Sequence, residues 1–562
     1  MNTLNDQIAQ LNAIRNQYGK QSGLKKIELL QAISMRLINS NYTLHAGKKA
    51  LQLYYDTLVF IIAYPDNKTI YTSANKCIEL LQSFIMANEN RKVSVYNTGI
   101  SGSSVCAAFS FEMVKWLRKT RPLEITLSSF ELTNRQIQSI LSVVMPKVES
   151  EILQDANAEW KGWLGRSLKK GENLLDKLID VFDSNSIRPE VKDELWNAIG
   201  INVEINFTSH CSLPGRLIIP YYHHNLIRKN IKQKLPVLQP VRLQINNTEA
   251  EQIIDCSRMI LVRHLREIDP ISFTAAGLVA YYHLPRGISV ALMGMVAERR
   301  HPIDSYMGYV VFKNGLPVGY AACWILFDSG RIGLNIFPGY RGGESQYIFE
   351  QVLQLHSKVY GLKRFSVDPY QLGKENSDGI QSGAFWVYYH AGFSPVLKAL
   401  QELAAAEALK IKTTAGYRSS QSVLAKLANG RMQLLLHKNA VKFDATDISL
   451  AWAAILIKKY NDNRRNAEKD SVKKLAGILQ IKNYPEANMN FILKNWCLLL
   501  LSNEKELNSN TSLKRILKKL FVLKASGSEE EYIQTLQQAA VVRNFIEFTL
   551  VKAGIQLQGN AD

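Results

Sequence analysis

Apolar residues recur at three- and four-residue spacing through 24–38, 50–64, 74–86 and 105–117, the period of amphipathic helices. The pattern predicts a mainly helical N-terminal domain over 1–200. Two short runs rich in β-branched residues, 123–127 and 201–207, interrupt it. The Pro-punctuated stretch 213–240 reads as a connector with an extended piece, placing the linker over 201–240.

The period changes between residues 241 and 395. The pattern predicts a short strand over 241–245, an amphipathic helix over 249–268 and a β-rich run over 288–296. Runs 308–312 and 317–327 flank Lys313-Asn314-Gly315-Leu316, where Asn-Gly supplies the positive-φ positions of a tight hairpin. A further strand, 331–337, alternates Ile332, Leu334 and Ile336 with Gly333 and Asn335, then runs into Pro338-Gly339-Tyr340-Arg341-Gly342-Gly343-Glu344-Ser345. A helix follows with Ile348, Val352, Leu355 and Val359 on one face and Gly361 placed to stop it, then a short buried strand at 365–367. This order gives a mixed α/β layer and excludes a doubly wound dinucleotide fold, because the hairpin precedes the glycine loop. Helical patterning returns after 397, including 399–409 and 448–457. The expected architecture is therefore a central α/β domain over 241–400 between two mainly helical domains, the second over 401–562.

Composition adds limits. With 562 residues, 46% of them hydrophobic, the chain can bury cores of ordinary size without disulfide staples. Its formal charge of +19 is spread along the chain and makes a polyanionic partner plausible without identifying one. Six scattered cysteines with no CxxC pair argue against a disulfide framework or zinc ribbon, leading us to expect a reducing, cytoplasmic setting and no metal. The first twenty residues lack the apolar run of a signal peptide. The richest apolar stretches, 275–296 and 496–501, are broken by His283, Pro285 and Arg286 or too short to span a bilayer.

The glycine loop carries the clearest chemistry. A strand that ends at Phe337 and passes through Arg341-Gly342-Gly343 into a helix start offers unpaired N–H groups and the positive end of a helix dipole to a phosphate; an ordinary tight turn would use glycine in the same way. Downstream, the aromatic helix ending in Tyr388-Tyr389-His390-Ala391-Gly392-Phe393 resembles the last helix and "Y-x-K-x-G-F"-like ending of the GNAT superfamily of N-acyltransferases, and Arg341-Gly342-Gly343 looks like that superfamily's pyrophosphate loop. The resemblance covers about 241–395.

The resemblance implies a GNAT-like mixed sheet and an acyl-CoA co-substrate lying where two central parallel strands splay apart, here 331–337 and 365–367. Backbone amides at Ile336 and Phe337 would polarise the thioester carbonyl. Arg341, Gly342, Gly343 and Ser345 would hold the pyrophosphate, with Gln381 also on the donor, and Tyr388 would protonate the leaving thiolate. Two departures stand out: Glu344 and Gln346 occupy positions where the family loop has glycines, so its register or its cofactor contact is altered, and Gln381 replaces a common asparagine. The strand 331–337 has no carboxylate. The expected base is Asp368, with Glu344 or a water as alternatives and an Asp-Pro turn as its bland explanation.

The implied reaction is transfer of an acyl group from acyl-CoA, acetyl or longer, to a small-molecule or peptide amine. Aminoacyl-tRNA or an acyl carrier protein are alternative donors that the positive charge favours, and a non-catalytic binding module is a third reading. Weaker features are the segment 99–104, expected to open a helix and hold an anion or simply form a flexible cap, the pairs His210-Cys211 and His223-His224, which match no zinc spacing, and the basic amphipathic helix 513–524.

Overall fold

The computed structural model describes residues 3–39, 47–121, 123–155, 159–184, 187–227, 239–481 and 486–557. Among the described residues up to Ser94 the elements are helices, including Leu4–Ile14, Lys20–Asn39, Lys48–Ala63 and Lys68–Met86. Asn67 caps the last of these by accepting a hydrogen bond from the Ile70 N–H, as asparagine commonly does at a helix start.

A small antiparallel sheet follows, made of β1 (Ser104–Ala108), β2 (Ile125–Phe130) and β3 (Ile201–Asn206) in the order β1-β3-β2. Its own apolar core includes Phe111, Trp160, Phe182 and Trp196. Here a sequence expectation is corrected: 105–117 is not one helix. Residues 104–108 pair with β3 from Ser104↔Asn206 to Ala108↔Asn202, and the helix begins only at Phe111, capped by Ser110. The segment 99–104 likewise leads into a strand, and the Gly102 N–H is spent on the Phe207 carbonyl, which leaves the anion-holding helix start without a helix.

The larger sheet uses β4 (Val241–Leu243), β5 (Val279–Leu284), β6 (Ile288–Met293), β7 (Ser305–Lys313), β8 (Leu316–Leu326), β9 (Ser329–Ile332), β10 (Asn335–Ile336), β11 (Arg364–Val367), β12 (Ser394–Pro395) and β13 (Met432–Leu435). The order is β12-β13-β11-β9-β8-β7-β6-β5-β4, with β10 also on β8. The chain is thus mixed α/β, with helices flanking a large mixed sheet. Antiparallel hairpins build most of the sheet, and β9 beside β11 is its parallel pair. Between β7 and β8 the turn is as read from sequence: Asn314 and Gly315 have φ of 47° and 83°, the left-handed pair that a two-residue hairpin needs. The sheet also draws β13 from beyond residue 400.

Part of the 201–240 connector, 228–238, lies outside the described residues. The N-terminal helices, the large sheet and the C-terminal helices share one continuous apolar core. Among the described residues, no helix is long and apolar enough to cross a membrane.

Candidate functional site

The expected strand 331–337 is interrupted. Ile332 pairs with Cys323 and Asn335 with Tyr320, so the register on β8 is unbroken while Gly333 and Leu334 leave the ladder. Two tyrosines take up the peptide group between those residues. Tyr309 donates its hydroxyl to the Gly333 carbonyl, and the Leu334 N–H donates to the Tyr388 hydroxyl at 3.4 Å. On the other side of this strand, pairing with β11 ends at Ser366↔Arg331. The structure therefore brings Tyr388 to the point where the two parallel strands stop pairing.

Tyr388 reaches that point from the helix Ala384–His390, where Phe385 and Tyr388 are the buried residues, one turn apart. Its ring packs edge-on against Phe349, with centroids 5.2 Å apart. Burial pushes its pKa up to about 12, and the hydrogen bond from Leu334 only partly opposes this. Because the hydroxyl oxygen accepts from Leu334, its proton remains to donate elsewhere.

The two backbone amides named from sequence differ. The Phe337 N–H donates to the Val318 carbonyl at 3.1 Å, and its ring stacks on His264 with centroids 4.3 Å apart. Phe337 thus belongs to the packed sheet, and its amide is already used. In an antiparallel ladder N–H direction alternates, so the Ile336 N–H points away from β8, to the same side as that of Leu334.

The glycine loop is closed on one side and open on the other. A Cβ on Gly343 would meet the Tyr64 ring at 2.6 Å, and one on Gly339 would meet Val59 at 3.0 Å; both neighbours come from the helical N-terminal segment. The Glu344 N–H donates to the Tyr64 hydroxyl at 3.4 Å. Arg341 and Gly342 are exposed, Ser345 is half-buried at the start of the helix Ser345–Tyr360, and Arg15 donates to the Arg341 carbonyl at 3.2 Å. Gln381 is exposed on the short helix Ser377–Ser382.

Glu344 is fully buried. Its carboxylate takes Arg286 at 2.5 Å, Lys313 at 2.8 Å and the Ile227 N–H at 3.0 Å. Burial works against its charge, but Lys313 and Arg286 outweigh that and hold the carboxyl below its usual range. An internal anion thus stands at the helix N-terminus that the sequence offers to a phosphate. Arg286 reaches it from a hairpin tip where its own φ is 65°.

Asp368 follows β11 and starts the turn Pro369–Leu372 without capping it. Its carboxylate lies 3.3 Å from Arg331 and 3.6 Å from Arg431. Neither arginine was singled out from sequence, nor were Leu334, Tyr309 or Tyr64. Gly333 was the available signal, since a glycine inside a strand marks a break or a close approach. A backbone donor such as Leu334 carries no side-chain signature.

Among the described residues, no group of three or more His, Cys, Asp or Glu is placed to hold a metal ion. His210 is half-buried with Nδ1 3.4 Å from the Tyr55 hydroxyl, and His223 is buried beside Arg286. The basic helix 513–524 lies within Thr511–Ser526, and Leu513, Leu517, Leu520 and Phe521 are buried. Comparison of the chain with protein-family models, with curated proteins and with solved structures finds no match.

Proposed function

We propose that this chain is an acyltransferase that moves an acyl group from a thioester donor to an amine. The observation supporting this reading is the Tyr388 hydroxyl held by the Leu334 N–H at the opening between parallel strands. The acyl carbonyl would accept a hydrogen bond from the Ile336 N–H, a backbone donor aimed where negative charge develops. The amine attacks the carbonyl carbon, the tetrahedral intermediate collapses with cleavage of the C–S bond, and Tyr388 gives its proton to the leaving thiolate.

Acyl-CoA is the donor that the resemblance favours. Its phosphates would lie on the outer side of the glycine loop, at Arg341, Gly342 and the Ser345 helix start, with Gln381 nearby in sequence to the tyrosine helix. Tyr64 and Glu344 fill the inner side. Asp368 is the proposed base for the amine proton. Glu344 is unsuited to that role, because both its oxygens are held by cations in the interior.

A second reading, a binding module without catalysis, is favoured by the contact of Gly343 with Tyr64, which narrows the loop. Thermal unfolding with acetyl-CoA, a longer acyl-CoA, an acyl carrier protein and tRNA separates the donors. A ligand at ~100 times its dissociation constant stabilises the fold by about 2.7 kcal/mol. The acyl-CoA reading expects the two thioesters to raise the midpoint and tRNA to leave it unchanged. A rise with tRNA or carrier protein alone would move the donor to that class.

A further inference from the structure

We infer that Tyr309 is a positioning residue for Tyr388: by holding the Gly333 carbonyl, it turns the Gly333–Leu334 peptide so that the Leu334 N–H stays on the Tyr388 hydroxyl oxygen. What Tyr388 then does with its proton rests on the acyl-transfer reading. The hold of Tyr309 on the peptide does not.

A trans peptide is planar, and its C=O and N–H point in opposite directions. No peptide bond among the described residues is cis. One rigid plate therefore joins the two tyrosines: the Tyr309 hydroxyl donates to its oxygen, and its N–H donates to the Tyr388 hydroxyl. A carbonyl only accepts and a backbone N–H only donates, so neither bond can reverse its direction. Fixing the oxygen fixes where the hydrogen points. A carbonyl that accepts a hydrogen bond also makes the N–H of the same peptide a better donor, because bonds in a chain polarise one another.

This peptide needs such a hold. Ile332 pairs with Cys323 and Asn335 with Tyr320, while Gly333 and Leu334 leave that ladder, so no bond to β8 keeps the plate from turning. Gly333 on one side makes turning easy, since glycine tolerates backbone conformations that other residues resist.

Tyr309 is the fixed end. It lies in β7, paired with Leu292 on one side and Ala321 on the other, and it is fully buried. Its ring meets that of His356 edge-on, with centroids 5.1 Å apart. Burial pushes its pKa well above the usual tyrosine value, so the hydroxyl keeps the proton it donates. In the register, Ala321 stands between Tyr309 and the interrupted strand, and its methyl leaves the phenol room to cross β8.

The test is NMR of the full chain carrying ¹³C at glycine carbonyls and ¹⁵N at leucine, which isolates the five Gly–Leu peptides, those ending at Leu24, Leu278, Leu316, Leu334 and Leu362. In Tyr309→Phe the Gly333 carbonyl and Leu334 amide signals should move while the other four pairs stay. The Leu334 amide proton should move in the same direction as it does in Tyr388→Phe. Turnover of acetyl-CoA with pooled amines should fall about tenfold to hundredfold, the scale of a misplaced catalytic group, with the donor KM unchanged. Adding Tyr309→Phe to Tyr388→Phe should cost nothing further, because Tyr309 acts through Tyr388. Should Tyr309→Phe not fold, 3-fluorotyrosine at position 309 keeps the hydroxyl, makes it a stronger donor and should move the same two signals. Unmoved Gly333 and Leu334 signals, movement of all five pairs alike, or a further loss in the double variant would overturn the inference. A parent that yields no acylated amine would overturn the acyl-transfer reading instead, and the NMR result alone would then decide the hold of Tyr309.

Discussion

Glu344 stands at the N-terminus of the helix Ser345–Tyr360 with Oε1 on Arg286 and Oε2 on Lys313. Removing one partner of a buried ion pair leaves the other charge uncompensated, which costs about 3–5 kcal/mol. Glu344→Gln should therefore lower the unfolding free energy by about that amount in a denaturant titration. A loss below about 1 kcal/mol would show that Arg286 and Lys313 find other partners. At Tyr388 the raised pKa predicts an acid that stays protonated to about pH 12. Any loss of acyl transfer between pH 8 and about 10 should then persist unchanged in Tyr388→Phe. A limb in that window that vanishes with the hydroxyl would assign it to Tyr388. Residues at this scale were unevenly legible. Tyr388 stood out through the aromatic helix ending that carries it, and Glu344 as a misfit in a glycine loop. Leu334 acts through its backbone, and Arg431 comes from beyond the predicted domain, so neither left a signal near the loop.

The hairpin of β7 and β8 shows what local sequence can settle. Asn-Gly fixes its turn, and Gly315 is also required for space, because a Cβ there would lie 2.4 Å from Ile218 at a φ of 83°. Gly315→Ala should therefore destabilise by more than the ~1 kcal/mol that a compatible Gly→Ala change would gain. A neutral or stabilising result in thermal unfolding would contradict the tight turn. Other elements depended on partners distant in sequence. Residues 104–108 look helical by spacing and become a strand because β3, about a hundred residues later, offers an edge. β13 is four residues within a helical context and exists through its pairing with β11 and β12. The break at Gly333 and Leu334 is set by two tyrosine hydroxyls, from residues 24 and 54 positions away.

At the scale of the whole molecule, the helical N-terminal segment, the sheet and the C-terminal helices bury one core, with His223 and His356 buried and His210 and His264 half-buried. Burial lowers His210 and His223 to about 3 and His264 and His356 to about 4. The unfolded chain takes up protons on these groups near pH 6.5 while the folded chain does not, so stability is full above that pH and falls as pH drops toward 4. The melting temperature should decline steadily from pH 7 to 4.5. A flat profile would mean that these rings are charged or solvated in the fold. The order of strand, helix, hairpin and glycine loop was readable from periodicity, but the docking of Tyr64 and Arg15 onto that loop was not, because contacts between distant segments leave no periodic trace.

On the proposed reading Tyr388, at the opening marked by Leu334, gives its proton to the leaving thiolate. The most direct measurement is mass-spectrometric detection of acylated product and released thiol from acetyl-CoA and a pooled set of amines, with parent and Tyr388→Phe compared at equal donor occupancy. The account predicts product with the parent and a rate lower by about 10²–10⁴ in the variant, with donor binding retained. Equal product from both proteins, or a donor that binds the parent and yields no acylated amine, would contradict it.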